Sequence, residues 1–212
     1  MHHYGSWPTK RCEELDEYCK KVNIDWFASS WDKKSQLEMR KFNFKYNKIA
    51  SAMATNLEFV EFVASEKIPT FASTGMTEMK DIKNIVEIFQ KQSCELMLMH
   101  TVSTYPSLET DLNLKCITKL KDEFNLPVGY SGHEVSVSPS IVAASLGASA
   151  IERHITLDRS MYGSDQSASL QKEGFRQLVS ICRKLPNILG NGEKVILEGE
   201  REIANKLRYW NK

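Results

Sequence analysis

The sequence predicts an α/β fold of (β/α)8 TIM-barrel type, incomplete, with about six of the eight strand–helix units present. Two observations carry that expectation. Short apolar runs alternate with amphipathic helical segments, the pattern of parallel strands joined by helical crossovers. Nearly every apolar run also ends in Ser, Thr or His before a polar loop, and a parallel barrel gathers its working groups at that outgoing end.

In chain order, Leu15, Tyr18, Cys19 and Val22 fall at helical spacing. Ile24-Asp25-Trp26-Phe27-Ala28 reads as the first strand, ending in Ser29-Ser30. Lys48-Ile49-Ala50-Ser51 is the second, with a helix through Phe59, Phe62 and Val63. Pro69 to Ala72 is the third; Ser73-Thr74-Gly75-Met76 follows it, then an amphipathic helix through Ile82, Ile85, Val86 and Phe89. Glu95 to Met99 is the fourth, and its helix carries Ile117, Leu120 and Phe124. The fifth leads to His133, and Ser138-Pro139 then supplies a cap and a first-turn proline for a helix closed by Gly147. The sixth leads to His154, and a last helix through Phe175, Leu178, Val179 and Cys182 should end or kink at Pro186. Residues 1–190 are expected to form one partial barrel domain, and 191–212 a charged, loosely packed or extended tail. The Met97/Met99 alternation and the Trp26/Phe27 pair read as core.

A chain of 212 residues can bury one sizeable core. A net charge of +1 gives no whole-molecule attraction to nucleic acid or anionic lipid, so any anion site must be local. No apolar run reaches membrane-spanning length, and the start is too polar for a secretory signal. Five scattered cysteines without C-x-x-C spacing favour reduced thiols in a cytoplasmic protein. His2 and His3 are too terminal to expect as ligands.

His133 and His154 carry the strongest chemical signal. Each follows a strand-like run, and a helix-like segment separates them, so a parallel sheet would set both imidazoles at one face. Two histidines with a carboxylate or water and open positions suit a catalytic Mn, Fe, Co or Zn ion. Glu134, Glu152 and Asp165 are nearby carboxylates, and the Gly163-Ser164-Asp165-Gln166 loop could reach back over the site. Backbone N–H groups and hydroxyls at Ser73-Thr74-Gly75-Met76 could cradle a phosphate, or form an ordinary capped turn. Lys48 and Ser51 fit either an anion site or a solvated surface.

Together these stretches resemble the sialic acid synthase (N-acetylneuraminate synthase) family from about Leu15 to Leu189. The resemblance rests on Lys48-Ile49-Ala50-Ser51, Ser73-Thr74-Gly75-Met76, Ser103-Thr104-Tyr105-Pro106 and Gly129-Tyr130-Ser131-Gly132-His133-Glu134. It continues through Glu152 to Asp158 and Gly163 to Leu170. It implies a (β/α)8 barrel that condenses phosphoenolpyruvate with N-acetylmannosamine, or its 6-phosphate, releasing inorganic phosphate. His133 and His154 would hold a divalent metal, manganese first with magnesium or cobalt as alternatives, which polarises the sugar aldehyde. Lys48, Ser51, Ser73 and Ser131 would bind phosphoenolpyruvate, with Ser29 in the same pocket. Tyr105 and Asp165 would face the sugar and metal-bound water, and Ser103 the sugar side.

The family's opening Glu-Ile-Gly-x-Asn-His and Lys-Phe-Gln motifs are absent, as is its C-terminal antifreeze-like domain, so a truncated barrel is expected. Met53 and Ser103 stand where many members have glutamate and asparagine, which leaves the sugar open. A legionaminate or pseudaminate synthase and a non-catalytic remnant of the barrel are the alternatives. The resemblance implies small-molecule partners, no nucleic acid or membrane, and allows a homodimer.

Overall fold

The computed structural model describes residues 9–211, so His2 and His3 lie outside the described residues. Five short strands, β1 (Asn47–Ile49), β2 (Thr70–Ser73), β3 (Leu96–Thr101), β4 (Val128–Gly132) and β5 (Ile151–Arg153), pair in chain order. Every pairing is parallel, and the sheet curls as the arc of a half-barrel. Helices α1 (Thr9–Val22) and α2 (Lys33–Met39) precede β1, while α3 (Leu57–Ser65), α4 (Met79–Gln92), α5 (Cys116–Phe124) and α6 (Ser138–Ser145) are the four crossovers. Helices α7 (Lys172–Leu189) and α8 (Glu198–Leu207) follow β5.

Period-two alternation gives the sheet two unlike faces. Ile49, Ala72, Leu98, Val128 and Tyr130 point to the convex side, where they form the main core with Phe59, Ile85, Phe89 and Ile117 from the helices. The concave side carries Lys48 opposite Phe71, Ser73 opposite Met99, and Thr101 opposite Ser131 and Glu152. The main apolar core therefore lies on one face, while the other mixes polar groups with Phe71, Met97 and Met99.

Ile24 to Ala28 is not a strand, so the described sheet has five strands where six are expected. The segment is tied to β1 by side chains instead. The Ser29 hydroxyl donates to the Lys48 carbonyl at 3.4 Å, and Phe27 stacks on Phe71 with centroids 5.7 Å apart. Trp26 packs edge-on against Phe42 and Phe44, and its ring nitrogen donates to Asp16 at 3.0 Å. Its apolar pattern serves aromatic packing rather than a ladder. Phe27 consequently stays 37% exposed, away from the main core. Met97 and Met99 lie on the concave face, Met99 buried and Met97 half-buried.

Two further expectations need correcting, and the tail is partly helical. Ser138 is the first residue of α6, not its cap; its N–H donates to the Ser136 hydroxyl at 3.1 Å. Pro186 does not end α7, which runs on to Leu189 although the proline cannot donate to the Cys182 carbonyl. The tail contains α8, in which no residue is buried; local contacts support it, Glu200 accepting from the Leu197 N–H at 2.8 Å and Arg201 pairing with Glu198. No helix among the described residues is long and apolar enough to cross a membrane.

Candidate active site

The outgoing ends of all five strands open into one cleft of about 510 Å³. Its lining includes Ser29, Lys48, Ser51, Ser73, Ser103, Tyr105, Ser131, His133, His154 and Asp165, so these ten candidate residues meet there. It also includes Glu152, which sequence reading noted only as a nearby carboxylate. The strand register explains the convergence. Thr101, Ser131 and Glu152 are lateral partners, and His133 and His154 lie two residues beyond the last two, on the same side.

His133 and His154 stand edge to face, with centroids 5.1 Å apart and planes at 80°. The Nδ1 of His133 lies 2.7 Å from the Val102 carbonyl, which can only accept. That fixes the proton on Nδ1 and leaves Nε2 as a lone pair, which accepts from the Tyr105 hydroxyl at 3.0 Å. Burial pushes the His133 ring below its ordinary pKa, against the opposing pull of the Val102 carbonyl, and so favours the neutral form. The Nδ1 of His154 sits 3.3 Å from Asp165 Oδ2, so the Asp165 loop does reach back over the site. Tyr105 packs against both imidazoles, at 4.1 and 5.5 Å.

On the other side of the cleft, the buried Lys48 ammonium donates to the Ser73 hydroxyl at 2.7 Å and lies 3.6 Å from Glu152. Burial pushes its pKa down, and Glu152 partly opposes the shift. Glu152 in turn accepts from Ser131 at 2.7 Å. Ser51 accepts from the Gly75 N–H at 3.1 Å, so its own proton is free to point elsewhere. A Cβ at Gly75 would lie 2.2 Å from the Ser103 hydroxyl and 2.7 Å from the Ser51 hydroxyl, so both would have to move to admit one. The Ser103 hydroxyl is buried without a hydrogen-bond partner.

Two residues considered from the sequence stand elsewhere. Glu134 is fully buried on the convex side, paired with Arg153 at 2.9 Å. Met53 packs partly buried against the main core. Sequence reasoning could have elevated Glu152, since it shares the concave alternation of His154; its partner Lys48 is too distant in sequence to signal the pairing.

Among the described residues no group of three or more His, Cys, Asp or Glu side chains is assembled to hold a metal ion. The two imidazoles do face one another, with their Nδ1 atoms engaged by Val102 and Asp165. Such outer partners set the tautomer and orientation of metal-binding histidines.

A parallel half-barrel with a polar cleft at its strand ends and paired imidazoles defines the chain as part of an α/β enzyme-type scaffold. The chain belongs to the NeuB family, which it matches over residues 2–194. It is 36% identical over 196 residues to the uncharacterised protein MJ1065 of Methanocaldococcus jannaschii, covering 92% of this chain and 58% of that one. It is 33% identical over 199 residues to the N,N'-diacetyllegionaminic acid synthase of Legionella pneumophila, covering 92% and 56%. With the N-acetylneuraminate-9-phosphate synthase of Drosophila melanogaster it shares 34% identity over 202 residues, covering 92% and 54%. The chain thus spans little more than half the length of these relatives. Among solved structures, the sialic acid synthetase of Leptospira borgpetersenii, in complex with citrate, matches with a TM-score of 0.86 and 31% identity over 96% of this chain and 72% of that one.

Proposed function

We propose that this chain carries the catalytic cleft of a nonulosonic acid synthase, joining phosphoenolpyruvate to N-acetylmannosamine or its 6-phosphate, with water, to give N-acetylneuraminate or its 9-phosphate and inorganic phosphate. In the whole protein the arc would be part of an eight-stranded barrel. The observation that carries this reading is the division of the cleft: a buried lysine among hydroxyls at β1–β2, and paired imidazoles at β4–β5.

Lys48, with Ser51, Ser73 and Ser131, would take the phosphate and carboxylate of phosphoenolpyruvate; a desolvated ammonium with hydroxyl donors is the chemistry such an anion needs. The bond between Lys48 and Ser73 would be exchanged for bonds to the ligand. His133 and His154 would hold a divalent metal through Nε2, with substrate or water completing an open site. When bound, the metal would polarise the sugar aldehyde, supplying the Lewis acid that carbon–carbon bond formation requires. Charge supports a cation there: the described lining has one lysine against Glu152 and Asp165, too little positive charge for a trianionic substrate. Tyr105 would release His133 Nε2 and turn its hydroxyl to the sugar, while Asp165 would orient His154 and the attacking water. The unpartnered Ser103 hydroxyl would meet a polar group of the sugar.

The sugar could equally be the diacetylated precursor of legionaminic acid, a reading favoured by the Legionella relative. Phosphate release from phosphoenolpyruvate, measured with manganese and each candidate sugar, tests both. Lys48→Ala should raise the KM for phosphoenolpyruvate well above that for sugar, and His154→Gln should abolish turnover. If wild-type protein released phosphate equally with and without any N-acylated sugar, the proposal would fail.

A further inference from the structure

We propose that the buried Arg153–Glu134 ion pair is a positioning device for the two imidazoles of the cleft. Glu134 directly follows His133, and Arg153 directly precedes His154. Because neighbouring residues on a strand face opposite ways, the pair lies on the convex side while the imidazoles face the cleft. A bridge between the two side chains therefore clamps the β4 and β5 strand ends to one another from behind. The inference rests on the reading of His133 and His154 as a working pair.

Both side chains of the bridge are fully buried. Arg153 Nη1 donates to Glu134 Oε1 at 2.9 Å, to the Ser136 carbonyl at 2.9 Å and to the Ser140 hydroxyl at 3.0 Å. Its Nη2 donates to the Glu134 carbonyl. Two of these four acceptors are backbone, so the guanidinium fixes the path of the chain that leaves His133 as well as a carboxylate. The Glu134 carboxylate is held from two more sides, by the Tyr130 hydroxyl at 2.8 Å and the Ser140 hydroxyl at 3.1 Å. Gly132 makes room for it: a Cβ there would lie 2.6 Å from Glu134 Oε2.

Stability alone does not account for this arrangement. A buried ion pair gains little over apolar side chains of similar volume, since desolvation offsets the attraction. Here a further cost remains, because Arg153 Nε is buried without a partner. What a planar, multiply bonded guanidinium gives that apolar packing does not is fixed geometry. The two groups it joins are each one residue from an imidazole whose placement must be accurate.

The test uses the full chain and two variants. Glu134→Leu/Arg153→Met removes both charges at once, and Arg153→Lys keeps the charge but not the fork. Urea unfolding reports the fold, and ring-to-ring NOEs with imidazole ¹⁵N shifts report the His133–His154 spacing and the His133 tautomer. Titration with Mn²⁺ alone, followed by the EPR signal of the free ion, reports metal affinity. In a double variant that still unfolds cooperatively, the inter-ring NOE should vanish and Mn²⁺ should bind about 10–100-fold more weakly, as for other outer-shell losses. Unchanged NOEs and affinity in that variant would overturn the inference. If the double variant does not fold, Arg153→Lys decides in the same way: a lost NOE supports positioning, a retained one refutes it. Failure of wild-type protein to bind Mn²⁺ would count against the metal reading, while the NOE comparison would still decide the role of the brace.

Discussion

The two ends of the sheet are built by different physics. At the β4–β5 end, charged and polar side chains interlock behind the strands, with Glu134 fully buried and Tyr130, Ser140 and Arg153 all bonded to it. At the β1 end, the adjoining segment is held by aromatic rings packed edge-on or stacked, and Phe27, Tyr46 and Trp31 remain 37%, 37% and 51% exposed. The difference follows what each end would have to do. Attraction between an ammonium and an anion falls off slowly with distance and tolerates a loosely held wall. Two nitrogens sharing one ion tolerate only a few tenths of an ångström, so rigid support belongs beneath them.

The largest effect should come from breaking the braced end one-sidedly. Arg153→Ala leaves the Glu134 carboxylate buried without its cation and should cost about 3–5 kcal/mol, measured by urea unfolding. Phe27→Ala at the opposite end removes a ring that is already partly in water, and should cost about 1–2 kcal/mol. Equal losses would show that the two ends are not mechanically distinct.

A gain should appear at Lys48. Its ammonium is buried and its pKa is pushed down, a sign that the folded chain bears a desolvation cost there. Lys48→Met fills the same space without the charge and leaves Glu152, 36% exposed, to water and Ser131. Stability should rise by about 0.5–2 kcal/mol, as at other sites strained for function, and under the proposed function phosphoenolpyruvate binding should be lost. A fall in the thermal midpoint would mean that the lysine is structural.

The same contrast marks what could be read from the sequence. The braced end announced itself through local motifs: Gly129 to Glu134 and Glu152 to Asp158 are continuous, and their period-two alternation places His133 and His154 on one face. The helices were also legible, since Ile82, Ile85, Val86 and Phe89 are all buried where their spacing puts them. The β1 end was not. Trp26 and Phe27 have strand-like neighbours, but whether they enter a ladder depends on tertiary packing against Phe42, Phe44 and Phe71, which local pattern does not encode. The role of Glu134 was equally out of reach, since its place beside His133 in the sequence does not reveal that it is buried against Arg153. The Lys48–Glu152 approach spans about half the chain and leaves no local trace.

The smallest effect lies midway between the two ends, at His100 on β3. Its ring is buried on the convex side near Tyr130, and Nε2 donates to the Leu112 carbonyl at 2.8 Å. Burial pushes its pKa below the ordinary value of 6.5, outweighing the Leu112 bond. Tyr130, its aromatic neighbour, is driven far upward by burial and Glu134 and stays neutral throughout. The unfolded chain thus takes up the His100 proton before the folded chain does. Stability should be independent of this group above about pH 6.5 and should fall as the pH drops below that value toward the folded pKa. His133 is depressed in the same direction, so the wild-type profile contains both histidines. His100→Gln, which keeps a donor for Leu112, should flatten part of the acid-side slope in urea midpoints measured from roughly pH 5 to 8. A profile identical to wild type would show that His100 contributes nothing to the acid sensitivity of the fold.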